Sequence, residues 1–129
     1  MNLIYTHGWW LNYQAGFFKR FQITGTQYNI LRILRGQHPN PASINLLKER
    51  MLDKMSDASR LVERLKDKGL VERKICPKDR RKVEVKITKK GMELLKNIGS
   101  IEDQFEKLFI GIKPNEAKTL NELLDKLRG

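Results

Sequence analysis

Apolar residues recur along most of this chain at steps of three and four, the spacing of one helical face, and change to a step of two in a single stretch. Met55, Ala58, Leu61, Val62 and Leu65 form one such stripe, which predicts a helix from Ser56 with this side against a core. At about 100° per residue, Ser56, Arg60, Glu63 and Arg64 fall on or near the opposite side, with Asp57 on a flank and Ser59 nearer the core edge. Lys66 and Lys68 make the last turn cationic, and Gly69 can take the left-handed position past its end without Cβ strain. Val83, Val85 and Ile87 then alternate with Glu84, Lys86 and Thr88, which predicts a half-buried strand with residues 70–75 as its partner. Between them, residues 76–82 hold a proline, a turn-forming aspartate and four cations, and are expected to form a loop in solvent.

Upstream, Trp9, Trp10, Tyr13, Phe17, Phe18 and Phe21 crowd a helix expected over residues 6–21. That aromatic load exceeds the need of one face, so burial on two sides is expected, against the chain's own domain and against a second copy. Thr26 is read as the cap of a helix running to about Gly36, with Tyr28, Ile30, Leu31 and Leu34 for burial. A loop over residues 37–41 leads to a helix over residues 43–52 through Ile44, Leu47 and Met51. Asp53 is expected to cap the helix that follows. Downstream, Thr88 suits the N-cap of a long helix carrying Leu94, Leu95, Ile98, Ile101, Phe105, Leu108, Phe109 and Ile112 at a mean step of about 3.5. Gly99 and Gly111 weaken it, and Gly111 with Pro114 marks its end. A last helix carries Ala117, Leu120, Leu123, Leu124 and Leu127.

At 129 residues the chain is expected to be one domain. Its formal charge of +11 points to an anionic partner. The surplus is concentrated, since residues 71–90 carry nine basic and three acidic side chains whereas residues 91–129 are net −1. One cysteine excludes an internal disulfide and fits a reducing compartment. With neither an 18-residue apolar run nor a leader pattern at the N-terminus, a cytoplasmic protein with no membrane partner is expected.

A helix followed at once by a basic-tipped hairpin is the winged helix-turn-helix arrangement, in which the helix reads DNA and the hairpin is the wing. SRLVERLKDKGLVER at residues 59–73, DRR at 79–81 and ITKKG at 87–91 resemble, in order and spacing, the MarR (multiple antibiotic resistance regulator) family of transcription regulators. The resemblance implies a mainly α fold with a small β-hairpin wing. Residues 26–91 would be the winged helix-turn-helix, and residues 6–21 and 91–128 dimerisation helices, within a single domain spanning 1–129. It implies a sequence-specific regulator, a repressor in this reading, bound as a homodimer to a pseudo-palindrome in double-stranded DNA and released by a small aromatic or amphipathic effector. Two departures stand out. The chain has few residues ahead of its first helix, and Leu52-Asp53-Lys54-Met55 replaces the usual leucine and small cap, which shifts the turn by about a residue.

On that reading Ser56, Asp57, Arg60 and Arg64 meet base edges and phosphates, and Lys54 and Ser59 suit phosphate. Asp57 has two readings, acceptor for a cytosine amino group or stabiliser of the helix N-terminus, and the second is favoured. Lys78, Asp79, Arg80, Arg81 and Lys82 form the wing; in the family a wing aspartate steadies an arginine that enters the minor groove, and Asp79 and Arg81 match that pair. His7, Trp9, Trp10, Tyr13 and Tyr28 suit an effector pocket, and equally a dry core. Dimerisation falls to Phe17, Ile101, Phe105, Leu108, Leu120, Leu124 and Leu127. Cys76 reads as an inert small hydrophobe rather than an oxidant sensor. His7 and His38 are isolated, and no metal-ligand spacing or phosphate loop is present, so neither catalysis nor a cofactor is expected. The rival reading keeps the winged helix as a protein-interaction or RNA-binding module, its basic wing on an acidic partner.

Overall fold

Side-chain caps set where most helices of this chain begin. The computed structural model describes residues 1–129, apart from the side chains of residues 101, 102 and 105, so the dimerisation roles expected of Ile101 and Phe105 lie outside the described residues. α1 spans Asn2–Lys19 and α2 Gly25–Gln37. At the start of α2 the cap is Thr24 rather than Thr26: its hydroxyl accepts from the Gln27 N–H at 3.1 Å, and the Gln27 side chain accepts from the Thr24 N–H at 3.0 Å. Gln27 is the glutamine this reciprocal box needs three residues on, and the bond satisfies a polar side chain only 4% exposed.

β1 (Ala42–Ser43) and α3 (Ile44–Arg50) follow, with the Ser43 hydroxyl accepting from the Leu46 N–H. α4 covers Ala58–Asp67 and its cap is Asp57, which accepts from the Arg60 N–H at 3.3 Å. Asp53 does not cap it. Its two carboxylate oxygens instead accept from the Met55 N–H at 2.9 Å and the Ser56 hydroxyl at 2.6 Å, closing the preceding turn. The apolar stripe is correspondingly shorter than expected: Ala58, Val62 and Leu65 are buried and Leu61 half-buried, but Met55 is 94% exposed. α4 ends at Gly69, whose φ of +75° lets the Leu70 N–H donate back to the Leu65 carbonyl at 3.0 Å.

β2 (Val71–Cys76) and β3 (Asp79–Ile87) form an antiparallel hairpin, and β1 joins the far side of β3 through Ala42 opposite Val85, giving the order β1-β3-β2. The expected long loop between the strands is replaced by a turn at Pro77 and Lys78. The register steps from Ile75 opposite Val83 to Cys76 opposite Asp79, so Arg80, Arg81 and Lys82 are looped out of the ladder while remaining within β3. Strand β1 was not legible, because two residues carry no period.

α5 spans Lys89–Ile98 and α6 Ile101–Leu108, so the expected long helix is broken in two. Gly99 takes φ +73° and the Ser100 hydroxyl accepts from the Asp103 N–H at 3.4 Å, a stop and a restart. α7 covers Pro114–Arg128, with Pro114 in its first turn. The chain divides into two compact units, residues 1–97 and 98–129. In the first, Phe18, Ile30, Leu31, Leu34, Leu47, Val62, Leu65 and Val85 are fully buried. Of α1 only Phe17 and Phe18 are buried, leaving Leu3, Ile4, Tyr5, Trp9 and Leu11 exposed. Phe17 is covered by its own unit, its ring 5.0 Å from that of Phe18 and 5.8 Å from that of Phe21, and so offers no face for the dimer contact expected of it. In the second unit α7 buries none of its residues. Among the described residues no helix is long and apolar enough to cross a membrane.

Candidate nucleic-acid interface

The outer face of α4 is set by its cap and its three buried residues. Once Ala58, Val62 and Leu65 are turned inward, Ser59, Arg60 and Arg64 are left exposed. Arg60 is exposed on this face, whereas Arg64 lies toward α1 and lines a groove with Leu11, Lys19 and Asp67. Ser56 is half-buried, its hydroxyl donated to Asp53, and Asp57 is engaged at the helix N-terminus, the second of its two sequence readings. Lys54 donates its ammonium to the Lys48 and Glu49 carbonyls at 3.1 and 2.5 Å, at the C-terminal end of α3 where a cation is favoured. Its place is therefore a brace for the turn.

On the hairpin, Lys78, Arg80, Arg81 and Lys82 are exposed and Asp79 is half-buried. Asp79 and Arg81 meet through the backbone: the Arg81 N–H donates to the Asp79 carboxylate at 3.0 Å, which braces the looped-out segment and leaves the guanidinium outside that bond. The hairpin is tied to α4 by Arg73, whose guanidinium donates to Glu63 at 2.6 Å. Both side chains are about two-fifths exposed, so this bridge orients the wing more than it stabilises the fold.

Two of these contacts escaped the sequence reading. Arg73 is one of nine basic residues between positions 71 and 90. Asn29, an unremarked position of α2, accepts from the Leu52 N–H at 3.0 Å and anchors the chain as it leaves α3. Neither carries a signal in spacing, since the partners lie 10 and 23 residues apart. In the turn they support, the Asp53 carboxyl is held below the ordinary carboxylate range, chiefly by the Ser56 hydroxyl and then by the Met55 N–H, with a smaller contribution from His7.

The residues expected to form an effector pocket separate. His7 and Trp10 share a groove of about 400 Å³ with Leu11, Gln14, Asn29, Leu52, Asp53 and Lys54. Trp9 and Tyr13 do not line it, and Tyr28 is buried with its ring 4.8 Å from that of Phe18. Cys76 is half-buried at the end of β2. Among the described residues no group of three His, Cys, Asp or Glu is placed to hold a metal ion.

A family model described as MarR family matches residues 21–82, from the end of α1 into the wing. A MarR transcription factor of known structure from Planctomyces limnophilus is 30% identical, the match covering 99% of this chain and 95% of that one with a TM-score of 0.68. The chain belongs to the MarR family. MarR family proteins are DNA-binding transcription regulators and not enzymes. A mutant of MarR from E. coli, complexed with operator DNA, is 26% identical with a TM-score of 0.81, over 98% of this chain and 91% of that one. The HTH-type transcriptional repressor IacR of Pseudomonas putida is 24% identical over 120 residues, 92% of this chain and 71% of IacR.

The two surfaces of this MarR protein should be separable by mutation. Arg81→Ala is expected to weaken binding to every duplex and to flatten the dependence of log K on log salt by about one unit, the signature of one lost phosphate or groove contact. Arg60→Ala is expected to narrow the gap between cognate and scrambled duplexes by about 1–3 kcal/mol, as loss of a base contact would. Titrations of both duplexes at several salt concentrations decide it; equal losses on both duplexes would reassign Arg60 to phosphate.

Proposed function

We propose that this MarR family protein is a homodimeric repressor that binds a pseudo-palindromic operator, with one α4 and one wing in each half-site. The observation that carries this reading is a set of exposed cations on two elements that are tied together: Arg60 on α4, and Arg80, Arg81 and Lys82 looped out on a wing that the Arg73–Glu63 bridge joins to α4. Residues 26–91 are the reading head in this proposal, and residues 6–21 and 91–128 the dimerisation segments. Unpartnered apolar side chains on α1 and on α7 support that division. Repression follows from occupancy of an operator and is the activity named for IacR. The site of action is the cytoplasm, with the DNA. Selection of bound duplexes from a random pool tests the whole reading. It should return a two-fold motif with half-site centres about one helical turn apart. An asymmetric motif, or none, would count against it.

Release by a small aromatic or amphipathic ligand belongs to the same proposal. The groove holding His7 and Trp10 also holds Leu52, Asp53 and Lys54, the turn that feeds α4, so a ligand seated there acts on the start of the reading helix. By reciprocity it must bind the operator complex less tightly than the free dimer, by about 1–3 kcal/mol of coupling. Small phenolic acids that raise the melting temperature should show this difference when titrated with and without operator. Ligands that bind both forms equally would remove the switch from the proposal.

A further inference from the structure

The turn between α3 and α4 presents two apolar side chains outward, Leu52 and Met55. Met55 is 94% exposed, although the helical spacing of the sequence would have buried it. Its neighbours are both turned to other work, Lys54 onto the carbonyls of α3 and Ser56 onto Asp53. Its own backbone is held by the Asp53 carboxylate at 2.9 Å, so the side chain projects from a fixed base three residues before the first residue of α4. Such exposure contributes nothing to folding and leaves about a full methionine of apolar surface in water. Leu52, 85% exposed, differs because it borders the His7–Trp10 groove.

We infer that Met55 is a specificity-determining residue that packs against the C5 methyl group of a thymine in each half-site. The inference rests on the proposed reading of duplex DNA by α4. Residues at the N-terminal end of a recognition helix are those that reach base edges in the major groove. Base edges there present hydrogen-bonding groups that a thioether chain cannot satisfy well, and one apolar feature, the thymine methyl. Methionine suits that contact because its unbranched, polarisable chain adapts to a convex methyl surface.

The test uses the full-length protein and the duplex selected from the random pool. Each thymine of one half-site is replaced in turn by deoxyuridine, which lacks only the methyl group. At one position this should weaken binding of the unmodified protein about four-fold, the worth of one buried methyl-sized group. Met55→Ala should bind the thymine and deoxyuridine duplexes at that position equally, whereas Met55→Leu should keep the preference. Because the side chain is exposed, neither variant loses packing, and unchanged melting temperatures confirm that both are folded. A thymine preference that persists in Met55→Ala, or no methyl dependence at any position, overturns the assignment of Met55 while leaving the regulator reading intact. A pool that yields no two-fold motif removes the reading on which it rests.

Discussion

Gly91→Ala is expected to destabilise the first unit by about 3 kcal/mol, the upper end of the usual cost of overpacking a core. A Cβ on Gly91 would stand 2.7 Å from Ile87 Cγ1 and closer still to the Leu70 carbonyl oxygen. Neither neighbour can retreat. Ile87 is buried, and the Leu70 carbonyl already accepts from the Thr88 N–H at 3.1 Å. The Thr88 hydroxyl in turn donates to the Gly69 carbonyl and accepts from the Gly91 N–H, so the end of α4, the start of β2 and the first turn of α5 meet at this joint. Moving it would also move the wing relative to α4. Gly36→Ala is the control: nothing lies within 4 Å of its Cβ and it sits in the last turn of α2, so no loss and a gain of up to about 0.5 kcal/mol is expected from helix propensity. Urea unfolding of the two variants checks the pair. A Gly91→Ala protein within 1 kcal/mol of the unmodified chain would show that the joint yields.

Leu127→Asp is expected to raise the dissociation constant of the proposed dimer about 100-fold, equivalent to roughly 3 kcal/mol for forcing a carboxylate into an apolar contact. Leu120, Leu123 and Leu127 are exposed by 47, 59 and 70%, Leu124 is half-buried, and α7 buries nothing within its own unit. The substitution therefore removes no packing from the protomer, and its helical circular dichroism should be unchanged. Operator affinity should fall with the dimer, since two linked half-sites are then bound one at a time. Sedimentation at micromolar concentration reads the first effect and operator titration the second. A variant that stays dimeric would move the dimer contact elsewhere, and a monomeric unmodified protein would remove the homodimer from the proposal.

Features whose signals lie within one turn or one strand were legible without the structure. Gly69 as the stop of α4, Thr88 as a cap, the alternation of Val83, Val85 and Ile87, and the cationic hairpin all follow from spacings of a few residues, and the MarR motifs are built from the same stretch. Where several capping residues stand close together, local spacing does not choose among them. Thr24 and Asp57 won over Thr26 and Asp53, because Gln27 could complete a reciprocal box with Thr24 and because Ser56 and the Met55 N–H engaged Asp53 first.

The mainly helical class, the helix α4, the basic hairpin and the absence of catalytic motifs were therefore determined by the sequence itself, through local periodicity, capping chemistry and charge. Tertiary structure decided what depends on partners far apart in the chain: β1 pairing with β3, and the Arg73–Glu63 and Asn29–Leu52 contacts. The aromatic first helix makes the same point, since Phe17, Phe18 and Tyr28 pack together while Trp9 stays exposed. A helical stripe states which residues can share a face. Only the path of the rest of the chain supplies the surface that covers it.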